Sequence, residues 1–378
     1  MIPIAKPLVG DEEQREVARV LSSGLLAQGP EVEAFEREFA AFCGTRHALA
    51  TTNGTTALHL SLLAAGVGPG DEVITTPFSF FASASSIRMA GAKPVFVDLE
   101  RDGYTLDPAA VVAAITPRTK AVMPVHLYGE LCDMDALREA CDTVPIIEDA
   151  CQAHGADAGG RAGSHGLAGC FSFYPTKNMT TGEGGMLVTD DESIAQRVRK
   201  LRWCGITSPT WERFKVDHVQ RGWMYDVEEV GWKYEMNDLA AALGLAQMDR
   251  LEACNERRRE LMIRYREAFD DVDDIDMLAA RDYAVSSCYN AVVRLDDREG
   301  LYAHLDASGI DSNVHFYPNH LFRIFRPYTT HLPVAEREWQ RILSIPLHPE
   351  LTDGEQDRVI DAVRTFAQGE SRKSVVAG

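Results

Sequence analysis

Residues 47–65, HALATTNGTTALHLSLLAA, combine a short strand, a turn and a helix in direct succession. His47–Thr52 is a short, largely apolar run, Asn53-Gly54 interrupts it, and Ala57–Ala65 is rich in helix formers. The same order recurs further along the chain. Strands are predicted at Glu72–Thr76, Pro94–Leu99, Ala121–Leu127, Val144–Asp149, Cys170–Tyr174 and Met186–Thr189, and helices at Ala82–Ala90 and Met134–Ala140. This alternation predicts an α/β domain with a mostly parallel sheet.

The flanking segments complete the predicted architecture. A helical pattern, Glu31–Phe42, precedes this region and ends at Gly44, and a long one, Asp238–Phe269, follows it. Beyond the long helix we predict a smaller α+β region, with strands at Ser287–Leu295 and Ser312–Tyr317 and helices at Leu301–Ser308 and Gly354–Phe366. The predicted domains are therefore a large one over residues 1–249 with an N-terminal arm, a small one over 250–370, and a disordered tail over 371–378.

Composition narrows the class of protein. Of 378 residues, 45% are apolar and 25% charged, which is typical of a soluble globular protein with a sizeable core. The chain has no apolar run long enough for a transmembrane helix, and its N-terminus shows no signal-peptide pattern. The eight cysteines are scattered without a CxxC pair, so we interpret them as reduced residues of a cytoplasmic protein and expect neither disulfides nor a metal site.

Charge disfavours one class of partner. The net charge is −19, from 57 acidic and 38 basic residues, whereas a nucleic-acid binder is expected to show a basic face. We therefore expect no nucleic-acid or membrane partner. An anionic small ligand would need a local pocket of amides and cations. The run Arg257-Arg258-Arg259 is interpreted as a solvated helix face.

The turn at Asn53-Gly54-Thr55-Thr56 has two interpretations. It follows a strand and opens a helix, so its free amides are suited to hold a phosphate. Alternatively, Thr55 is an ordinary helix N-cap. The spacing does not match a P-loop, which requires GxxxxGK followed by serine or threonine.

A second candidate lies in IIEDACQAHG, residues 146–155. The apolar strand delivers Asp149 to its carboxyl end, with Gln152 and His154 just beyond, and ligand sites of α/β sheets lie at that end of the strands. Asp149 is suited to pair with a ligand cation or to cap the next element. The spacing alone leaves both interpretations open.

The third candidate is SFYPTKNMTTGEGG, residues 172–185. Ser172 lies on a strand that Pro175 ends, Lys177 follows in a turn, and the run Gly182–Gly185 lets the backbone pass close to a bulky neighbour. Taken alone, a turn lysine is a solvated charge. Together, the three segments offer an amine, a carboxylate and a phosphate cradle, which are the groups that pyridoxal phosphate requires.

In their order and spacing, these segments resemble the DegT-type nucleotide-sugar aminotransferases, which are pyridoxal-phosphate enzymes of the aspartate-aminotransferase fold. The resemblance covers almost the whole chain. The stretches that carry it also include IPIAKPLVGDEE, SGLLAQGPEVEAFE, GDEVITTPFSFFASASS, GAKPVFVD, NDLAAALGLAQM and ILSIPLHPELT. It implies an α/β protein of fold type I, with a mostly parallel, mixed seven-stranded sheet in the large domain and a smaller α+β C-terminal domain.

The resemblance assigns the cofactor contacts by position. Lys177 matches the Schiff-base lysine, Asp149 the carboxylate on the pyridine nitrogen, and Gln152 the contact to the phenolic oxygen. The implied phosphate cup comprises Gly54, Thr55, Thr56 and Ser172, and Phe80 matches the aromatic ring stacked on the pyridine. Without the resemblance, Phe80 would be interpreted as a core residue.

The chain departs from the pattern at Gly231-Trp232-Lys233-Tyr234. Many relatives have G-Y-N-Y there, and the asparagine reaches the phosphate of the partner subunit in a homodimer with a shared active site. Lys233 takes the asparagine's position, either as a cation for that phosphate or as a solvated lysine.

A late segment, VHFYPNH, resembles one that folds over the sugar-nucleotide site, which implies His315, Tyr317 and His320 as substrate contacts. Histidine on a strand is otherwise structural.

The implied activity is transfer of an amino group from an amino acid, by analogy L-glutamate, to a keto group of a nucleotide-linked deoxy sugar in amino-sugar biosynthesis. Pyridoxal 5′-phosphate would pass through pyridoxamine 5′-phosphate. Lys177 would be the general base and acid, and Asp149 would favour the protonated ring nitrogen.

Other functions are less consistent with the residues. Cyclitol aminotransferases of the same family stay open, whereas its sugar dehydratases carry histidine where this chain has Lys177. A non-catalytic regulator would not need both Lys177 and Asp149. A nicotinamide dehydrogenase would need a GxGxxG opening a βαβ unit, and Gly182–Gly185 lacks that spacing.

Overall fold

The computed structural model describes residues 1–101, 103–206, 226–277 and 285–369. Its strands are β1 (His47–Thr51), β2 (Glu72–Thr75), β3 (Lys93–Phe96), β4 (Thr119–Met123), β5 (Ile147–Asp149), β6 (Ala168–Ser172), β7 (Gly185–Thr189), β8 (Asp276–Met277), β9 (Ala291–Arg294) and β10 (Ile342–Ile345). Its α-helices are α1 (Asp11–Ser23), α2 (Pro30–Cys43), α3 (Gly54–Ala64), α4 (Ala82–Met89), α5 (Pro108–Ala114), α6 (Met134–Cys141), α7 (Glu192–Arg202), α8 (Asp238–Phe269), α9 (Arg298–Ala307), α10 (Pro333–Glu338) and α11 (Asp353–Ala367).

The described strands before α8 form one mixed sheet. Strand β2 pairs in parallel with β3 and β4, and β5 pairs in parallel with β6. Strand β7 is antiparallel to both β6 and β1. Parallel bridges from Val122 to Ile146 and from Val125 to Asp149 join β4 to β5. The order is therefore β3-β2-β4-β5-β6-β7-β1, which confirms the predicted mixed seven-stranded sheet.

Helices cover both faces of this sheet. Along β1, Leu49 packs into a core with the side chains of α3 and α7, whereas Ala48 and Ala50 pack on the opposite face with α2 and α8. Strand β6 repeats the pattern, because Cys170 faces the first core and Phe171 the second. This alternation is the two-residue period of a strand. Since both faces are buried, the carboxyl edge is where the parallel strands present their polar residues.

The C-terminal region builds its own core from the second half of α8, the sheet β8-β9-β10, and helices α9 and α11. The predicted strand Ser312–Tyr317 is wrong. Only Asn313 forms a bridge, to Ser344 of β10, and Tyr128 then binds the carbonyl of His315 as the segment leaves the sheet. The domain boundary near residue 249 stays a prediction, and residues 371–378 lie outside the described part.

The interpretation of the arginine run on α8 as a solvated face is also wrong. Arg258 is only 3% exposed and donates hydrogen bonds to the carbonyls of Leu347, at 3.0 Å, and Tyr289, at 3.4 Å. Burial lowers its pKa to about 10. Loops of the C-terminal region cover this face of the helix, whereas the neighbouring Arg257 pairs with the exposed Asp353 at 2.7 Å.

Two general features concern the whole described chain. None of its helices is both long and apolar enough to cross a membrane. All eight cysteines are free thiols, and six of them are buried.

Candidate active site

Asp149 is the last residue of β5 and lies at the carboxyl edge of the sheet. Its carboxylate is 4% exposed; Oδ2 accepts a hydrogen bond from the Ser83 hydroxyl at 2.6 Å, and Oδ1 accepts one from the Cys151 amide at 3.2 Å. The Ser83 hydroxyl also lies 2.9 Å from that of Ser79. The first turn of α4 therefore fixes the carboxylate from one side and the chain after β5 from the other.

Lys177 lies in a turn beyond β6, where its amide donates to the carbonyl of Tyr174 at 2.9 Å. Its Nζ lies 3.4 Å from the hydroxyl of Tyr289 and 4.5 Å from the centroid of that ring. Lys177 is half-buried, so the interpretation as a freely solvated turn lysine does not fit the structure.

The charge of Lys177 acts on two neighbouring histidines. Burial, followed by the positive charge of Lys177, lowers the pKa of His154 to about 3 and that of His315 to about 4. Desolvation raises the pKa of the Cys151 thiol, and the charges of Asp149 and Lys177 act on the same thiol, the first raising its pKa and the second lowering it. Asp149, Lys177 and His315 therefore share one electrostatic neighbourhood, although they come from distant parts of the sequence.

The helix start at α3 lies beside Ser172. A Cβ placed on Gly54 would lie 2.8 Å from Cβ of Ser172 and 2.9 Å from Sγ of Cys151. Within the described residues, the amides of Gly54 and Thr55 and the Thr55 side chain have no hydrogen-bond partner, as expected for the first turn of a helix. These groups and the Ser172 hydroxyl form a compact set of donors.

The cap of this helix is Asn53, and the alternative interpretation of Thr55 as the N-cap is wrong. The Asn53 side chain accepts from the Thr56 amide at 2.9 Å, and the Thr56 hydroxyl accepts in return from the Asn53 amide at 3.2 Å. Thr56 is thus committed to the helix start, because its hydroxyl closes the reciprocal cap. Its predicted phosphate contact rests on position alone.

The glycine run after Lys177 makes room for the protein's own backbone. A Cβ on Gly185 would lie 2.3 Å from the carbonyl oxygen of Asn53, and one on Gly184 would lie 2.1 Å from the Thr181 hydroxyl. Gly182 has a positive φ of 78°. The bulky neighbour of Gly185 is therefore the backbone at the start of α3, whereas Gly184 lies against the Thr181 side chain.

Gln152 follows Asp149 on the chain after β5, and Phe80 lies just before α4. Gln152 is buried, and its Oε1 accepts from the amide of Tyr128 at 2.9 Å. Phe80 is 47% exposed, which excludes the interpretation as a core residue, and its carbonyl accepts from Ser83 at 3.3 Å. The exposed ring lies on the same turn as the serine that binds Asp149.

The late segment brings His315 to the site. Its Nδ1 lies 2.9 Å from the Ser344 hydroxyl and 3.1 Å from Nδ2 of Asn290, which orients the ring. Tyr317 is partly exposed and packs edge-on against Phe322 and Trp339. Both remain predicted substrate contacts, and His315 is the one that Lys177 influences.

His320 is placed differently from His315. It is 0% exposed, its Nε2 lies 3.2 Å from Oε1 of Glu336, and its ring packs near Phe96. Such a buried position, with a hydrogen bond to a carboxylate of the same region, supports a structural role. The prediction of His320 as a substrate contact finds no support in this geometry.

Lys233 lies outside this cluster. Its Nζ pairs with Glu235 and lies 3.3 Å from the centroid of the Trp203 ring, and its side chain is 61% exposed. Within the described residues it contacts none of the groups around Lys177. A role toward the phosphate of a partner subunit stays a prediction.

Comparison with known proteins decides the family. The model of the DegT/DnrJ/EryC1/StrS aminotransferase family matches residues 7–364. The chain belongs to this family. It is 41% identical over 382 residues to the spore coat polysaccharide biosynthesis protein SpsC of Bacillus subtilis, with 97% of each chain covered.

Solved structures extend the comparison to three dimensions. DesV from S. venezuelae superposes with a TM-score of 0.87 at 39% identity, covering 94% of each chain. Spr1654 from Streptococcus pneumoniae in its PMP form superposes with a TM-score of 0.91 at 30% identity, covering 97% of this chain and 99% of that one. The fold of the chain is therefore the fold type I of pyridoxal-phosphate aminotransferases.

Aminotransferases of this family use pyridoxal 5′-phosphate, and Spr1654 has been solved in a PLP form as well. The residues present here fit that group. The amides of Gly54 and Thr55 with the Ser172 hydroxyl match a phosphate, Asp149 matches a protonated ring nitrogen, and the Lys177 amine matches an aldehyde. At Gly54 a side chain would close the cradle between the helix start and β6.

The structure adds three residues to the candidate site that sequence reasoning missed. Ser83 binds Asp149, Tyr289 binds Lys177, and Tyr128 connects Gln152 to the carbonyl of His315. Ser83 lies in the quoted stretch that follows β2, so its position in the motif was visible although its contact was not. Tyr289 lies in a different part of the chain, and only folding brings it to Lys177.

Proposed function

We propose that this chain, a sugar aminotransferase, moves an amino group from L-glutamate to a keto group of a nucleotide-linked deoxy sugar in amino-sugar biosynthesis, with pyridoxal 5′-phosphate as its cofactor. One observation carries the proposal. A lysine amine, a buried carboxylate and a helix-start donor set converge at the carboxyl edge of the sheet. This is the set of groups that the cofactor's aldehyde, ring nitrogen and phosphate require.

Lys177 is the proton-handling group in this proposal. When bound, the cofactor supplies an aldehyde that takes up the donor's amino group and an electron-poor ring that stabilises negative charge at the donor's α-carbon. The Nζ of Lys177, once it is a free amine, removes the proton from that α-carbon and acts as general base, and then as general acid.

The negative carboxylate of Asp149 would stabilise the protonated nitrogen of the cofactor's pyridine ring. Its carboxylate is buried and oriented by Ser83 and by the Cys151 amide, so it faces the site in one geometry. A fixed carboxylate beside the nitrogen favours the protonated ring. The amides of Gly54 and Thr55, at the positive end of the α3 dipole, bind the phosphate dianion.

The sugar and its carrier are proposed from the late segment. His315 and Tyr317 lie on the segment that resembles the cover of a sugar-nucleotide site, and His315 shares the electrostatic neighbourhood of Lys177. The low pKa of His315 keeps its ring neutral near pH 7, so the imidazole is suited to hydrogen bonding with a sugar hydroxyl. L-Glutamate as donor rests on the family resemblance.

A homodimer and a cytoplasmic location complete the proposal. In the dimer, Lys233 supplies a cation to the phosphate of the partner subunit, as an asparagine does in many relatives. The exposed side chain of Lys233 supports this role, since it is available to a second copy. Eight free cysteines support a reducing compartment, where thiols stay unpaired.

Mass spectrometry of reaction mixtures tests this function. The purified protein, loaded with pyridoxal 5′-phosphate, is incubated with L-glutamate and a panel of nucleotide-linked 3-keto and 4-keto deoxy sugars, and in a separate reaction with a keto-cyclitol. We expect one or a few members to gain an amino group, with matching formation of 2-oxoglutarate. Amination of a keto-cyclitol but of no sugar in the panel would contradict the proposed substrate, and 2-oxoglutarate formation separates that result from an inactive protein.

A further inference from the structure

Tyr289 reaches Lys177 from the opposite side of the candidate site. It precedes β9 in the C-terminal region, whereas Lys177 follows β6 in the large sheet. Its hydroxyl lies 3.4 Å from Nζ of Lys177 and 3.1 Å from the hydroxyl of Thr176. The ring centroid lies 4.5 Å from the same Nζ, which is within the range of a cation–π contact. Lys177 is therefore held by both the hydroxyl and the ring of one side chain.

The backbone of Tyr289 is fixed at several points. Its amide donates to the carbonyl of Tyr128 at 2.8 Å, and its carbonyl accepts from the buried Arg258 at 3.4 Å. The preceding residue, Cys288, has a φ of +48°, a conformation that residues other than glycine rarely adopt. Such a conformation persists only where the surroundings determine it. The chain thus accepts local strain directly before the side chain that meets Lys177.

We propose that Tyr289 is a positioning residue for the Lys177 amine during proton transfer. This inference rests on the proposed aminotransferase function and deepens it. A phenolic hydroxyl donates a hydrogen bond to a neutral amine and accepts one from an ammonium group. Lys177 alternates between these two states as it takes up the α-proton of the donor and gives it up again. Tyr289 therefore holds the same Nζ through both steps without itself gaining or losing a proton.

The Tyr289 hydroxyl has a second neighbour, the hydroxyl of Thr176. The Tyr289 oxygen lies 3.1 Å from the Thr176 hydroxyl and 3.4 Å from Nζ of Lys177, so one oxygen contacts both side chains. A purely structural role would be to tie the Thr176 turn to the C-terminal region. The two roles differ in which neighbour matters, and that difference is testable.

The test compares Tyr289→Phe, Tyr289→Leu and Thr176→Val with a matched control, Tyr302→Phe. The first variant keeps the ring but removes the hydroxyl, the second removes both, and the third removes only the threonine contact. Tyr302 is an exposed tyrosine on α9. Steady-state kinetics give kcat and KM, together with the primary isotope effect of α-deuterated glutamate. In cofactor-free protein, peptide mass spectrometry gives the rate at which a small amine-reactive reagent labels Lys177 relative to Lys93, an exposed lysine at the start of β3.

For Tyr289→Phe we expect kcat to fall by about 3- to 10-fold, as for loss of one hydrogen bond in the transition state, with a larger isotope effect and an unchanged KM for glutamate. The labelling rate of Lys177 should rise by about threefold, because Nζ no longer forms a hydrogen bond with the hydroxyl. Tyr289→Leu should show a larger fall in kcat and a larger rise in the labelling rate, since the ring contact is lost as well. Thr176→Val and Tyr302→Phe should match the unaltered protein.

Two results would overturn the inference. One is a Tyr289→Phe protein with unaltered labelling of Lys177 and an unaltered isotope effect. The other is a Thr176→Val protein that reproduces the changes of Tyr289→Phe, which would assign the tyrosine a structural role. The labelling arm uses protein without cofactor or substrate. It therefore tests the contact with Lys177 even if the substrate panel shows no amination, and the two failures are distinguishable.

Discussion

Asp149 and Lys177, the two charged groups at the centre of the site, are held in different ways. Asp149 accepts a 2.6 Å hydrogen bond from Ser83 and a backbone amide bond from Cys151, both from elements of the large sheet region. Lys177 has a longer contact, 3.4 Å, with Tyr289 from the C-terminal region. The comparison teaches that the group with a constant task is rigidly fixed, whereas the group that must move during turnover has one adaptable partner.

The largest effect should come from removing the fixed charge. Asp149→Asn keeps the shape of the side chain but loses the carboxylate that favours a protonated ring nitrogen. We expect kcat to fall by about 10²- to 10³-fold, the size seen when one preorganised electrostatic group is removed. Steady-state kinetics would measure it, with the exposed Asp249→Asn as control. Activity within twofold of the unaltered protein would show that the carboxylate has no such task.

A methyl group at the helix start should weaken cofactor binding. In Gly54→Ala the new Cβ would meet Ser172 and Cys151 at 2.8 and 2.9 Å, so β6 or α3 must shift. We expect a loss of about 1–3 kcal/mol in stability, as for overpacking, together with a higher Kd for pyridoxal 5′-phosphate. Thermal unfolding and fluorescence titration measure the two effects. Gly68→Ala is the matched control because nothing lies within 4 Å of its Cβ.

Removing the hydrogen bond that orients Asp149, while keeping its carboxylate, should lower kcat less than Asp149→Asn does. Ser83→Ala deletes the 2.6 Å hydrogen bond to Oδ2 but keeps the charge. We expect kcat to fall by about tenfold and stability to fall by about 1.5 kcal/mol, because a hydrogen bond to a charged group is lost. The control is Ser85→Ala on the same helix. If Ser83→Ala and Ser85→Ala behave alike, the rigidity of Asp149 does not matter for turnover.

The lowered pKa of His315 predicts a modest dependence of stability on pH. The pKa of His315 in the folded state is about 4, below its ordinary value of 6.5. Between these values the unfolded chain binds a proton that the folded chain does not. The contribution to stability is therefore complete above pH 6.5 and is lost as pH falls toward 4, by about 1 kcal/mol at pH 5.5.

Urea unfolding at pH 7.5 and 5.5 measures this effect. His315→Asn removes the titrating group but keeps polar atoms for Asn290 and Ser344. The loss of stability between the two pH values should be about 1 kcal/mol smaller in His315→Asn than in the unaltered protein. An equal loss in both proteins would mean that His315 titrates normally in the fold.

Sequence reasoning reached the parts of the site that lie beside regular elements. Asp149 follows a clear apolar strand and Lys177 follows another, so their positions at one sheet edge were predictable from the alternation of strands and helices. The start of α3 was also predicted, but its cap was not, because Asn53 and Thr55 are both ordinary cap residues. Only the hydrogen bond from the Thr56 amide distinguishes them.

Features that depend on packing between distant segments were not predictable. Arg258 follows the same charge pattern as its neighbours, and only the loops of the C-terminal region bury it. The segment Ser312–Tyr317 alternates like a strand, but its backbone pairs with β10 only at Asn313, and the carbonyl of His315 is bound by Tyr128 instead. Tyr289 carries no local signal at all, since its partner lies more than a hundred positions earlier in the chain.

The central claim is that Lys177 is the amine that binds pyridoxal 5′-phosphate. Borohydride reduction of the cofactor-loaded protein, followed by proteolysis and mass spectrometry, tests it most directly. The account predicts a pyridoxyl group on the peptide that contains Lys177, and its loss in Lys177→Ala together with loss of turnover. A pyridoxyl group on another lysine, or an active Lys177→Ala protein, would contradict the account.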